Sequence, residues 1–172
     1  MEQNQQFQKM TQTPVGKLIT TLSVPTIISM LVTAIYNMAD TFFVSKLGTS
    51  ASGAVGIVFS VMAIIQAIGF TFGMGSGSWI SRLLGAKEEE KSKEVAATGF
   101  YSAIFLCTLM SVVGEWKLDD LMRILGASET ILPYAREYAT YILLAAPIMA
   151  SSFVLNNILR SEGHAKFAMI GI

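Results

Sequence analysis

The stretch that decides the fold is Leu18–Lys46, which reads LITTLSVPTIISMLVTAIYNMADTFFVSK. Between Leu18 and Val44 it is almost entirely apolar or small, and Asp40 is its single charged residue. As a helix rising about 1.5 Å per residue, it spans roughly 40 Å, more than the roughly 30 Å hydrocarbon core of a bilayer. The stretch is therefore predicted to be a transmembrane helix that carries one carboxylate.

Five polar residues share one face of this predicted helix, because they follow one another at spacings of three and four positions. They are Thr26, Ser29, Thr33, Asn37 and Asp40. A carboxylate within a membrane helix costs on the order of 2.5–3.5 kcal/mol, so it is usually kept for a function. We predict a cation- or proton-binding site at Asp40. The alternative is a structural carboxylate, capped by backbone or paired with a basic residue on another helix.

Other polar residues are candidates for the same site. Asn37 and Thr33 are predicted to supply oxygen ligands or hydrogen bonds to the ion, with simple helix–helix hydrogen bonding as the alternative. Ser29, Tyr36 and Gln66 are candidate cavity-lining residues. If the coupling ion is sodium, Asp40 is its metal ligand, and no other cofactor is expected.

The composition places the chain in the membrane. Of its 172 residues, 52% are hydrophobic and 14% are charged, and the mean hydropathy is +0.55. Soluble domains carry about 25% charged residues. We therefore expect an all-α integral membrane protein, since lipid-embedded backbone must be hydrogen-bonded within its own segment. Twelve basic residues balance twelve acidic ones, which gives no indication of a nucleic-acid partner. The sequence shows no clustered metal ligands and no nucleophile with a base partner, so we do not expect an enzyme.

Hydropathy divides the chain into a polar cytoplasmic tail, 1–17, and a membrane part, 18–172. The predicted spans are about 18–45, 53–81, 95–114 and 134–159, and a fifth begins at about 167. Because six residues cannot cross a bilayer, we expect an amino-terminal fragment of a longer protein. Pro25 and Pro147 predict kinks. In the second span Gly69, Gly73 and Gly77 share one face, which is typical of closely packed membrane helices.

Between the third and fourth spans, a short amphipathic segment is predicted to form a helix at the membrane interface. Its apolar residues are Leu118, Leu121, Met122 and Leu125, and its charged residues are Asp119, Asp120 and Arg123. The basic residues of the chain indicate its orientation. With the amino terminus in the cytoplasm, eight lie inside and four outside, which agrees with the positive-inside rule. The inner eight are Lys9, Lys17, Arg82, Lys87, Lys91, Lys93, Arg160 and Lys166, and the outer four are Lys46, Lys117, Arg123 and Arg136.

Three segments resemble landmarks of the multidrug and toxic compound extrusion (MATE) transporters. Pro25 with Tyr36-Asn37-Met38-Ala39-Asp40-Thr41-Phe42-Phe43-Val44-Ser45-Lys46-Leu47-Gly48 resembles the family's first helix. Gly73-Met74-Gly75-Ser76 with Ser81-Arg82-Leu83-Leu84-Gly85-Ala86 resembles the end of the second helix. Asn156 through Met169, with the segment Arg160-Ser161-Glu162-Gly163-His164, resembles the loop between helices four and five. The acid at position 40 is typical of the branch related to the DNA-damage-inducible F transporters.

The resemblance implies a transporter of twelve helices in two six-helix lobes, of which this chain is part of the amino-terminal lobe. It implies export of organic cations or other amphipathic, drug-like compounds in exchange for sodium or protons, across the inner (plasma) membrane. Asp40 matches the family's first-helix acid. The family's other ligands for that site, an Asn and an Asp on helix five and polar groups on helix six, lie outside this sequence, so we expect the isolated fragment to be inactive without the remainder of its own chain.

Two other interpretations stay open at this point. One is a flippase for lipid-linked precursors from the same superfamily, which would usually line its cavity with basic residues. The other is a membrane fragment that does not transport.

Overall fold

The computed structural model describes residues 12–46, 48–164 and 167–168, and within them every regular element is helical. The helices are α1 (Val15–Ser45), α2 (Thr49–Gly85), α3 (Glu89–Trp116), α4 (Leu118–Ile124) and α5 (Leu132–Ser161). Four of these, α1, α2, α3 and α5, are long and apolar enough to cross a membrane. The predicted all-α membrane class is confirmed.

Three of the four long helices extend beyond the predicted spans at both ends, and α1 extends beyond its span at the amino end only. The predicted tail overlaps α1, because the helix already begins at Val15, and α3 begins at Glu89 rather than near residue 95. The reason is that hydropathy marks only the lipid-embedded part, whereas charged residues in water continue a helix without cost. Residues 1–11 of the tail, and all but 167–168 of the fifth span, lie outside the described residues.

Helices α2, α3 and α5 pack on one another and form the three-helix core. The closest approach is between α2 and α5, where three glycines face three side chains at the same four-residue spacing. A Cβ atom added to Gly69 or Gly73 would lie 2.8 Å from the Cβ of Phe153 or 2.9 Å from that of Asn157, and one on Gly77 would lie 3.2 Å from the Cβ of Ser161. The expectation that this glycine face lets helix backbones approach closely is confirmed.

Helix α3 joins the core through a second stripe of small residues. Its buried positions are Ser92, Gly99, Ala103, Cys107, Ser111 and Gly114. Gly99 packs against Ser76 of α2, and Gly114 packs against Leu143 of α5. The Ser111 hydroxyl donates a hydrogen bond to the Leu143 carbonyl. Small residues bring the backbones together, and this contact then adds an interhelical hydrogen bond.

The short helix α4 closes one end of this core. Leu118 and Met122 are buried in the same apolar cluster as residues of α2 and α5. The amphipathic helix expected at the membrane interface is present, and the structure adds that its apolar side contacts protein. An amphipathic pattern shows that a helix has an apolar face but not which apolar surroundings cover it.

Helix α1 is the peripheral element. It contacts α2 more lightly than the core helices contact one another, and only Pro25 and Ser29 are buried along its length. The turn into α2 passes through Gly48 at φ +114°, a backbone conformation that favours glycine. Pro25 and Pro147 both lie inside continuous helices.

Candidate ion site

The polar stripe of α1 is turned mainly toward the rest of the protein. Ser29 is buried and Thr26, Asn37 and Asp40 are half-buried, whereas Thr33 is exposed. Most large apolar side chains of α1 point away from the bundle, including Ile28, Leu31 and Ile35. This is the reverse of a soluble amphipathic helix, as expected for a helix whose apolar side meets lipid or other membrane helices.

Two threonine hydroxyls of the polar stripe donate hydrogen bonds to backbone carbonyls of α1 itself. Thr26 donates to the Leu22 carbonyl at 3.0 Å, and Thr33 donates to the Ser29 carbonyl at 3.0 Å. A threonine hydroxyl keeps acceptor lone pairs when it donates, so the oxygen of Thr33 stays able to face a cation. The hydroxyl oxygen of Ser29 is buried, and no other described residue forms a hydrogen bond with it.

Asp40 forms no ion pair among the described residues. The nearest basic residue along the helix, Lys46, instead places its ammonium group over the Phe42 and Phe43 rings, 4.6 and 5.8 Å from their centroids. The ion pairs that the described residues do form lie in the water-facing parts of the chain. The alternative of a carboxylate paired with a basic residue finds no support in this arrangement.

The partner that the structure brings to Asp40 is Tyr138 of α5. Its phenol interacts electrostatically with the Asp40 carboxylate and with Tyr36 of α1, with a minor side-chain hydrogen-bond contribution from Asp40. Tyr138 is half-buried. Asp40 and Tyr138 therefore lie where α1 comes near α5, and Asn37 lies about one turn from Asp40 on the same face of α1.

Sequence reasoning missed Tyr138, although a signal was present. Tyr134, Tyr138 and Tyr141 recur at spacings of four and three, so three of the five tyrosines of the chain share one face of α5. A tyrosine hydroxyl inside an apolar span needs a polar partner. The spacing indicates the face but cannot show that α1 covers it.

The other predicted residues lie farther away. Along its helix Thr33 is about 10 Å below Asp40, at about 1.5 Å per residue. Gln66 is half-buried on α2, roughly 25 Å below the start of that helix, whereas Asp40 is about 8 Å below the end of α1. The two residues thus lie at different depths, and the structure does not place Gln66 beside Asp40. Tyr36 is 69% exposed.

The donor set at Asp40 fits a hard monovalent cation or a proton. It offers one carboxylate, the amide oxygen of Asn37 and the phenol oxygen of Tyr138, and hard cations prefer such oxygen ligands. Among residues 12–46, 48–164 and 167–168, no three His, Cys, Asp or Glu side chains gather into a metal-binding group.

Comparisons with known proteins agree with this architecture. The MatE family model matches residues 25–172. The chain is 34% identical over 172 residues to the multidrug export protein MepA of Staphylococcus aureus strain MRSA252, covering 99% of this chain and 38% of that protein. It is 31% identical over 153 residues to the FAD transporter of Shewanella oneidensis, covering 89% of this chain and 34% of that protein.

A solved structure of a MATE transporter in the bent conformation superposes on this fold with a TM-score of 0.86 at 34% identity, covering 99% of this chain and 37% of the other. The chain thus spans little more than a third of the length of the relatives it matches. These relatives are transporters and not enzymes, so the expectation that the chain is not an enzyme agrees with them. The family resemblance seen in the sequence is confirmed, and the chain belongs to the MatE family, the multidrug and toxic compound extrusion transporters.

Proposed function

We propose that this chain forms part of the amino-terminal lobe of a cation-coupled multidrug antiporter, and that Asp40 is its coupling site. The observation that carries the proposal is the half-buried carboxylate of Asp40, which has no ion pair among the described residues and faces Tyr138. An acid kept in a membrane helix without a basic partner is free to bind an ion and release it. The coupling ion is sodium or a proton.

The proposed cycle uses the difference between α1 and the core. Asp40 alternates between an ionised state and a state neutralised by a proton or sodium ion. An ion shifts a conformational equilibrium only by its differential affinity for the two states, so the site must change as α1 moves. Helix α1 contains Pro25 and contacts the rest of the protein lightly, which suits it to such a movement. Tyr138, on the rigid core, supplies the polar group that Asp40 gains or loses.

The proposed cargo is an organic cation or another amphipathic, drug-like compound. MepA is a multidrug export protein, and the middles of the described spans carry no basic residue. A cavity for an anionic cargo, such as the dinucleotide of the FAD transporter or a lipid-linked pyrophosphate, would need basic groups. The composition of these helices therefore favours the multidrug alternative over a flippase.

We place the protein in the plasma membrane with its amino terminus in the cytoplasm, following the distribution of basic residues. Helix α1 then runs outward, and Asp40 lies in the outer half of the membrane. The proposal requires the remaining helices of the family's lobes, because the chain covers 38% of the length of MepA.

The test is efflux by the intact gene product, reconstituted in liposomes under separately imposed sodium and pH gradients. We expect Asp40→Asn to abolish efflux driven by either gradient, because an amide cannot cycle between charged and neutral states. Membrane insertion is expected to remain intact. Asp120→Asn, at an exposed position of α4, is the matched control and should retain transport. Gradient-driven efflux by Asp40→Asn equal to that of the parent protein would overturn the proposal.

A further inference from the structure

The chain turns sharply where α5 ends. Gly163 adopts φ +83°, a left-handed backbone conformation that favours glycine. The Gly163 N–H donates to the Arg160 carbonyl at 3.0 Å, and the His164 N–H donates to the Leu159 carbonyl at 2.8 Å. This is the Schellman pattern of a helix end, and it fixes the backbone that carries His164. The turn is here called the α5 corner, and it comprises the described residues between 160 and 168.

The segment that follows the turn is docked on α5. The side-chain amide of Asn156 donates to the Ala168 carbonyl at 2.6 Å, and the Ala168 N–H donates to the His164 carbonyl at 3.1 Å. Ala168 is fully buried. The His164 ring lies 5.9 Å from the Phe167 ring, measured between centroids. His164 therefore contacts the end of α5 through its backbone and the following segment through its ring.

The imidazole of His164 carries a polar atom that is not hydrogen-bonded. Its Nδ1 atom is buried, and no other described residue forms a hydrogen bond with it. The carboxylate oxygen Oε2 of Glu162 lies 3.9 Å from that nitrogen, which is beyond hydrogen-bond distance. Both side chains are half-buried. If the imidazole is protonated, closing the gap by about 1 Å makes a charge-assisted hydrogen bond, which is roughly twice as strong as a neutral one.

The basic groups at this end of the bundle do not pair with Glu162 in the part of the chain that the structure describes. Arg160 is half-buried at the end of α5 and Arg82 is exposed at the end of α2, and neither forms an ion pair there. Lys166 lies outside the described residues. The remaining charged groups at this end are the pairs Lys91–Glu88 and Lys93–Glu90, each at 2.7 Å, and the exposed Lys17, Lys87, Glu89 and Glu94. Among the described residues, His164 is therefore the partner that Glu162 has.

From this arrangement we propose that His164 and Glu162 form a proton-sensing site that controls how firmly the segment after α5 is held at the α5 corner. A histidine changes its charge between about pH 5 and 8. When His164 takes up a proton from water, its Nδ1–H donates to the Glu162 carboxylate, and the ion pair stabilises the corner. When His164 is neutral, the ion pair is absent and the corner opens more readily. The stabilisation is therefore present at acidic pH and is lost as the pH rises through neutrality.

The α5 corner is separate from the ion site at Asp40. Tyr138, which interacts with Asp40, lies roughly 35 Å from the end of α5 at about 1.5 Å per residue. In the orientation proposed above, the corner faces the cytoplasm, so it responds to cytoplasmic pH. The proton at His164 regulates the corner and is not transported, because the site lies beyond the apolar part of α5.

The test is hydrogen exchange of the α5 corner, measured by mass spectrometry on the purified intact gene product in lipid nanodiscs without an ion gradient. Protection is compared at about pH 5.5 and about pH 8, after correction for the intrinsic pH dependence of exchange. We expect peptides covering 157–168 to be about two- to fivefold better protected at the acidic pH, as expected for a partly exposed ion pair. Peptides from the glycine face of α2 are the internal reference and should show no difference.

His164→Gln, which cannot titrate, and Glu162→Gln, which lacks the charged partner, are each expected to remove the pH dependence. Glu94→Gln, at an exposed position of α3, is the matched control and should keep it, as should Asp40→Asn. The proposal is overturned if the parent protein shows no pH dependence at the corner, if either variant of the site retains it, or if Glu94→Gln or Asp40→Asn loses it. Unchanged transport in Asp40→Asn would instead remove only the coupling proposal.

Discussion

The covered surfaces of the three-helix core and of α1 differ in kind. In the core, the covered residues of α2, α3 and α5 are small or apolar, and glycines bring α2 within direct contact of α5. In α1, the covered residues are Pro25 and Ser29, and the half-buried positions include Asn37 and Asp40. Dense packing stabilises the core, because van der Waals contacts are a main source of helix association in membranes. Helix α1 has few such packing contacts within this chain, and its polar groups lie at a loosely packed contact.

This difference predicts that substitutions in the two regions affect different properties. Changes in the core should reduce stability, and changes where α1 meets α5 should reduce transport while leaving stability nearly unchanged. The following three experiments test that separation, from the largest expected effect to the smallest.

The largest effect is expected for Gly73→Leu. A Cβ atom at this position would lie 2.9 Å from the Cβ of Asn157, so a leucine must push α2 and α5 apart. We expect a loss of about 1–3 kcal/mol in the free energy of unfolding, measured by titration with sodium dodecyl sulfate in mixed micelles. Gly75→Leu is the control, because nothing lies within 4 Å of a Cβ atom there. Equal losses for both variants would show that helix propensity, and not the α2–α5 contact, governs stability.

An intermediate effect is expected for Tyr138→Phe, which removes the hydroxyl group facing Asp40. Because Tyr138 is the polar group that interacts electrostatically with Asp40, we expect gradient-driven efflux to fall about tenfold. The unfolding free energy should change little. Tyr101→Phe, at an exposed position of α3, is the matched control. A stability loss without a transport loss would assign Tyr138 to packing and would break the separation between the two regions.

The smallest effect is expected for Ser111→Ala, which removes the hydrogen bond from α3 to the Leu143 carbonyl. Interhelical hydrogen bonds in membrane proteins average about 0.6 kcal/mol, so the free energy of unfolding should fall by about that amount while efflux is retained. Ser102→Ala, at a half-buried position of the same helix, serves as the reference. A larger loss at Ser102 than at Ser111 would argue against this contact as a source of core stability.

Much of the fold follows from the sequence because one physical quantity, hydropathy over the width of a bilayer, determines it. The four spans and the glycine face of Gly69, Gly73 and Gly77 are visible in this way. The helix ends are less visible, since Glu89 and its neighbours are helical in water and carry no hydropathy signal. The packing of α4 against the core could not be predicted from its own sequence. It depends on Met122 entering an apolar cluster formed by residues that are distant in the sequence.

The candidate site likewise contains one residue that the sequence predicts, Asp40, and one that it does not, Tyr138. Asp40 stands out because a lone acid among apolar residues is costly in lipid. Tyr138 does not stand out, because a tyrosine in a span is ordinary until the structure shows which helix it faces. Gln66 stays a predicted cavity-lining residue, since its polarity shows that it needs polar surroundings but not which helices supply them.

The glycine contact between α2 and α5 also has an electrical consequence. A water molecule needs a space of roughly 10–15 Å³ with several polar partners, and helices at this separation leave no continuous file of such spaces between them. In the proposed ion-coupled transporter, the contact at Gly69, Gly73 and Gly77 would therefore give protons and sodium ions no water-filled path between α2 and α5, so the ion gradient would not be dissipated along it.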